Sequence, residues 1–275
     1  MKTYLNLGCG QRVHPGWVNI DLVARQPGVF ACDLINGIPV ETESADAVYH
    51  AAVLEHFRRP EAAKFLQEIY RVLKPGGIIR VGVPNLEEIC QTYLDKLHGA
   101  LAGDEQASRD YDWMVIEMLD QLVREKSGGE MAGYFRQQPL PNESFVFGRI
   151  GDEGRKLSEA MSSGRPRSGR SKIRGVAKAL QKGLLVLVAG KDSARALAIG
   201  RFRLSGEVHH WMYDRFSLAR ELKAAGFRDT KVCKASDSAI DGWHDFHLDV
   251  LPDGTVAKPD LFFMEATKPK RAGHG

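Results

Sequence analysis

The chain has 275 residues, of which 43% are hydrophobic and 27% charged, with a formal net charge of +3 at pH 7. That length and apolar share support a sizeable buried core and exclude a disordered tail or a collagen-like fibre. The near-neutral sum conceals segment 149–203, where fourteen Lys and Arg stand against four acids (Asp152, Glu153, Glu159, Asp192), a local +10 that leaves −7 elsewhere.

The amino terminus, MKTYLNLGCG, runs into an apolar strand without a signal-peptide pattern. Short apolar runs bounded by turn residues at 3–7, 17–20, 29–32, 45–50, 78–83, 230–233 and 261–266 read as buried strands of a mostly parallel sheet. Between them, Pro60 suits a first helical turn, Phe65, Leu66, Ile69, Val72 and Leu73 form a stripe, and Lys74-Pro75-Gly76-Gly77 stops the helix. Residues 110–124 predict a helix with Trp113, Ile116, Leu119, Leu122 and Val123 on one side. Another, over 214–225, is capped by Asp214, buries Phe216, Leu218 or Ala219, and Leu222, and ends at Gly226. Strands alternating with helices define a three-layer, doubly wound α/β sheet. The alternation fails over 96–204, which reads as a helical basic insertion, so the core is 1–95 plus 205–270, with 271–275 a disordered tail.

The four cysteines (Cys9, Cys32, Cys90, Cys233) form no C-x-x-C pair, which argues against a zinc cage or a disulfide framework and fits a reducing cytoplasm. The longest apolar run, 184–189, falls far short of the roughly 20 residues of a membrane span.

Leu5 to Gly10 spell L-N-L-G-C-G, a strand followed by two glycines one residue apart, which lets backbone approach a ligand closely. Asp21 ends the second strand, where a carboxylate can accept from both ribose hydroxyls. Asp33 follows the third, placed to receive an adenine amine.

With the phrases LNLGCG, GWVNIDL, ACDL, SADAVYHAAVLEHF, EIYRVLKPGGIIRVGVPN, YDRFSLARELKAAGF and LFFMEATK, the chain resembles the class I S-adenosylmethionine-dependent methyltransferases, of the type 11 kind. GWVNIDL, VLEHF and HHWMYDRFSLARELKAAGF resemble bacterial members of polysaccharide and glycan pathways. The resemblance implies a sheet of order 3-2-1-4-5-7-6 with the last strand antiparallel. It also implies S-adenosylmethionine held by Asn6, Gly8, Cys9, Gly10, Asp21, Leu22, Asp33, Leu34, His50 and Ala51. Three departures stand out: Asn6 replaces an acidic residue, Arg12 replaces a third glycine, and residues 8–16 are too few for a crossover helix, which must be reduced to a turn or lost.

A hydroxyl acceptor needs a base, and the candidates are His209 and His210, in the loop entering the late helix, and His50 at the end of strand four. Glu55 and His56 match part of a Glu-x-x-Glu-His metal pattern of some relatives, but Ala52 stands at its first position, so no metal is expected and a structural hydrogen-bonding role is assigned to them. Segment 241–249, DGWHDFHLD, alternates like an extended segment rather than a metal site. In the insertion, Ile173, Val176, Ala177, Leu180, Leu184 and Leu187 recur at helical spacing with Lys172, Lys178 and Lys182 elsewhere on the helix. This suits a lid over the acceptor or a helix resting on an anionic membrane. Nucleic acid is disfavoured because 165–182 lacks interleaved aromatics. The expectation is a methyltransferase of a sugar or glycan-linked hydroxyl. The alternatives are a small-molecule or RNA methyltransferase, or a non-catalytic cofactor-binding protein that docks through its insertion.

Overall fold

The computed structural model describes residues 2–137, 139–162 and 172–271. It comprises two compact units, Met1–Thr92 with Gly148–Glu153 and His210–Gly275, and Tyr93–Phe147 with Gly154–His209.

The first unit holds one seven-stranded sheet: β1 (Tyr4–Leu7), β2 (Val18–Asp21), β3 (Val29–Ala31), β4 (Ala45–Ala51), β5 (Leu73–Pro84), β6 (Arg228–Cys233) and β7 (Leu261–Thr267). Their order is β3-β2-β1-β4-β5-β7-β6. The first five are parallel, and β7 is antiparallel to β5 and β6. This is the doubly wound topology expected from the sequence. Helix α1 (Arg59–Val72) buries Phe65, Leu66, Ile69 and Val72, and the Arg58 N–H donates to Glu61 Oε2 at 2.9 Å to start it. It ends at Val72 rather than at the Lys-Pro-Gly-Gly phrase. That phrase is an irregularity inside β5, where pairing with β4 jumps from Ala45–Leu73 to Ala47–Ile78.

No helix joins β1 to β2, as the short crossover requires. Its place is held by amides: Asn6 Nδ2 donates to Arg12 O at 2.8 Å and to Asn19 Oδ1 at 3.0 Å, and Asn19 Nδ2 donates to His14 O and Trp17 O. The sheet face left bare by the missing helix is covered by Trp17, Tyr49, Ile240, Trp243 and Leu248. Three of these come from the segment between β6 and β7. Instead of an extended run, that segment contains a 3-10 turn, Trp243–Phe246. Arg80, fully buried, pins it: Nε donates to Asp249 Oδ2 at 2.9 Å, Nη1 to Glu265 Oε1 at 2.9 Å and to Asp237 O, and Nη2 to the carbonyls of Lys234 and Ala235. The ion pair offsets the desolvation of its charges, and the guanidinium lies 4.4 Å from the Trp243 ring.

The late helix, Arg215–Ala224, is capped as expected, with Asp214 Oδ1 accepting from the N–H groups of Phe216 and Ser217. Leu218 and Leu222 are buried. Phe216, expected inside, is 72% exposed because it belongs to the first turn beside the cap.

The second unit is helical: α2 (Leu86–Leu101) enters it, followed by α3 (Glu105–Val123), α4 (Met131–Tyr134), α5 (Glu143–Ser162) and α6 (Lys172–Arg203), after which α7 (Arg215–Ala224) returns to the first unit. The buried face of α3 is not the predicted one: Leu119 and Val123 are exposed, while Asp110, Trp113, Met114, Glu117 and Asp120 are inside. The inner polar groups are paired, Asp110 with Lys96 and Asn142, Glu117 with the Trp113 indole N–H, and Asp120 with Arg124 and the Glu130 N–H. Reading only apolar residues as core-forming misses a face whose charges are satisfied. Most of the predicted 271–275 tail and the Ser/Gly/Arg linker at 163–171 lie outside the described residues, as do the side chains of the basic stripe from Lys172 to Leu184.

Candidate cofactor and acceptor site

The site is assembled at the carboxyl ends of β1, β2, β3 and β4. After β1 the chain turns through Gly8 (φ 63°) and Gly10 (φ 55°), both in the left-handed region. Gly8 and Cys9 donate to Ile20 O at 2.8 and 3.2 Å. A Cβ at Gly8 would stand 2.3 Å from Val53 Cγ2, so the post-β4 loop presses on the glycine turn. A Cβ at Gly10 would meet nothing within 4 Å. The loop is therefore closed beneath and open above, the form a cradle for a ligand takes. Gly10 N–H donates to Asp21 Oδ2 at 2.8 Å, and Asp21 Oδ1 accepts from Val23 at 3.2 Å.

Gly8, Cys9, Gly10 and Asp21 are thus brought together. Asn6 is buried with its amide nitrogen committed inside the crossover, so it shapes the loop from below. Cys9 is a neutral thiol, pushed up to about 11 first by burial and then by the Asp21 charge. Leu22 is 55% exposed beside Asp21, open to an apolar ligand face. Asp33 caps the 3-10 turn Leu34–Asn36, accepting from the Ile35 N–H at 3.1 Å and the Asn36 amide. The Leu34 side chain joins the core, and its neighbour Ile35, 55% exposed, is the apolar group open at that strand end.

His50 and Ala51 close β4. His50 is wholly buried with its ring 5.3 Å from that of Phe65, neither nitrogen has a hydrogen-bond partner, and burial lowers its pKa to about 3. It is a neutral imidazole and a weak base. Ala52 follows at φ 54°, an unusual conformation for a residue with a Cβ, anchored by its N–H on Gly82 O at 2.9 Å. The turn Leu54–His56 comes next, and here the sequence-based reading is corrected: the buried Glu55 carboxyl makes no hydrogen bond. Burial pushes its pKa from 4.5 to about 8, the nearby Lys258 charge pulling it down and Asp260 pushing it up. Its carbonyl accepts from the N–H groups of His210 at 2.7 Å and Trp211 at 3.3 Å. The segment entering α7 is thereby tied to the post-β4 loop, and it is tied again where Tyr213 pairs with Asn85 at the end of β5. His209 belongs to the second unit, its N–H donating to Gln121 O at 3.0 Å. The signal for Glu55 in the sequence was a carboxylate between Leu54 and Phe57 one turn beyond a buried strand, where water is scarce.

Residues 17–81, from the start of β2 through most of β5, match a family model described as methyltransferase domain. Strand order, glycine turn and the acidic tip of β2 agree with what the resemblance to class I S-adenosylmethionine-dependent methyltransferases implies. Similar solved structures include a methyltransferase from Archaeoglobus fulgidus (12% identity, 97% of this chain and 86% of that one, TM-score 0.39). Another is from Thermotoga maritima (12% identity, 98% and 83%, TM-score 0.37). A third is the 1,6-didemethyltoxoflavin-N1-methyltransferase of Burkholderia thailandensis (11% identity, 98% and 71%, TM-score 0.38). No curated protein matches the sequence. The cofactor that the resemblance implies, S-adenosylmethionine, would supply a methyl group on a sulfonium. By that resemblance Gly8, Cys9 and Gly10 would hold its methionine end, Asp21 the ribose, and Asp33 with the Leu34 backbone the adenine.

Proposed function

We propose that the chain is a class I S-adenosylmethionine-dependent methyltransferase and that it methylates a hydroxyl of a sugar or glycan-linked acceptor. The observation that carries the hydroxyl is Glu55, a buried carboxyl without a hydrogen-bond partner and with a pKa near 8, on the post-β4 turn whose backbone holds the segment entering α7. An alcohol keeps its proton until the transition state and needs a base, whose contribution is about 10²- to 10⁴-fold in rate, and the best base has a pKa near the working pH. Glu55 meets that condition better than His50, whose basicity burial removes. We assign Glu55 to accept the hydroxyl proton as the carbon–oxygen bond forms. His210, whose backbone N–H is held by the Glu55 carbonyl, orients the acceptor. The sugar class is supported by the wording GWVNIDL and VLEHF, which resembles methyltransferases of bacterial glycan pathways.

The test is a transfer assay with methyl-labelled cofactor over paired acceptors, neutral sugars against amino sugars and simple amines. Label is expected on hydroxyl acceptors, and Glu55→Gln is expected to lower that transfer by about 10²- to 10⁴-fold while leaving cofactor binding intact. Label confined to amines, or a Glu55→Gln enzyme with undiminished transfer, would overturn the assignment.

A further inference from the structure

The second unit leaves large apolar side chains in water. Helix α6 is kinked at Gly190 (φ 83°, ψ 167°), and just before the kink Leu187 and Val188 are 84% and 78% exposed. Consecutive helical residues project roughly 100° apart, so the pair is not the edge of one packed stripe. In sequence it belongs to the apolar run 184–189. Beyond the kink, Leu197, Arg201 and Leu204 share a face by their spacing of four and three, and Leu204 is 74% exposed. Lys191, Arg195 and Arg201 are exposed as well. Over its whole length α6 carries eight Lys and Arg against one acid, Asp192.

An apolar end set among charges that are mostly positive, with Asp192 the one acid of α6 and Arg195 paired with Glu125, matches a surface that offers hydrocarbon beneath a negative layer. We infer that α6 docks on an anionic phospholipid bilayer, with Leu187 and Val188 entering the acyl boundary and Lys191 and Arg201 lying against the headgroups. A nucleic acid would satisfy the charge but not the two leucine-type groups. A second copy would bring the same positive charge against itself. Contact of this kind is peripheral, since no helix among the described residues is long and apolar enough to cross a membrane.

The test is flotation of the full chain with vesicles of phosphatidylcholine alone or mixed with phosphatidylglycerol. The chain should float with the mixed vesicles, be released by salt, and stay down with the neutral ones. Leu187→Glu combined with Val188→Glu should weaken binding by at least about tenfold. Lys191→Glu with Arg201→Glu should weaken it and flatten the salt dependence, with far-ultraviolet dichroism unchanged in both variants. Absence of flotation, equal flotation with neutral vesicles, or binding indifferent to the Leu187 and Val188 changes would overturn the inference. So would a dimer in sedimentation equilibrium that the same double change dissolves.

Discussion

Asp21 accepts the Gly10 N–H at 2.8 Å through the same carboxylate that holds Val23, so one side chain at the tip of β2 fixes both the glycine turn and the loop beyond β2. Asp21→Ala removes both bonds, which lie at the exposed tip of β2, and with them the carboxylate proposed to accept the ribose hydroxyls. Cofactor affinity should fall by at least about tenfold in calorimetry. Asp21→Asn, which keeps one acceptor oxygen, should fall between that variant and the wild type.

The contact between Gly8 and Val53 makes a steric prediction. Gly8→Ala puts a methyl 2.3 Å from Val53 Cγ2 at a backbone φ of 63°, and so carries both overlap and left-handed strain. A loss of about 1 to 3 kcal/mol is expected in thermal or urea unfolding. Adding Val53→Ala should recover the overlap part and leave the strain.

Arg80 spends four of its five donors on the segment that takes the place of the missing crossover helix and the fifth on Glu265 of β7. Arg80→Met strands the buried carboxylates of Asp249 and Glu265, at a cost of about 3 to 5 kcal/mol. Urea unfolding should register that loss. Tryptophan fluorescence should change with it, since Trp243 lies under the guanidinium.

Two buried groups set a pH window. The folded chain keeps a proton on Glu55 up to about pH 8 that the unfolded chain releases above its ordinary 4.5, so stability falls as pH rises between those values. The unfolded chain takes up a proton on His50 below 6.5 that the folded chain refuses down to about 3, so stability falls as pH drops across that range. The two slopes, each at most about 1.4 kcal/mol per pH unit, cancel between 4.5 and 6.5. Melting temperatures should decline from pH 6.5 to about 8 in the wild type. Glu55→Gln should abolish that decline.

The sheet was legible because its strands are continuous apolar runs, and its order followed from the phrases LNLGCG, GWVNIDL and LFFMEATK once their family resemblance was seen. Asn6 was legible as a departure, but its function as an amide strut depends on Asn19, thirteen residues away, and on the Arg12 carbonyl. The DGWHDFHLD segment was misread because alternation alone cannot reveal that Asp249 meets Arg80, 169 residues earlier. The α3 face was misread because charges are assigned outward unless their partners, here Lys96 and Asn142, are known. Glu55 was given hydrogen bonds by default, and only packing shows that its carboxyl has none.

The most direct measurement of the central claim is a calorimetric titration of the full chain with S-adenosylmethionine and with its demethylated product, run beside Asp21→Ala. The geometry of the Gly8–Gly10 turn and Asp21 predicts micromolar binding at one site per chain, largely abolished in the variant. An absence of binding by the wild type, or equal binding by Asp21→Ala, would contradict it.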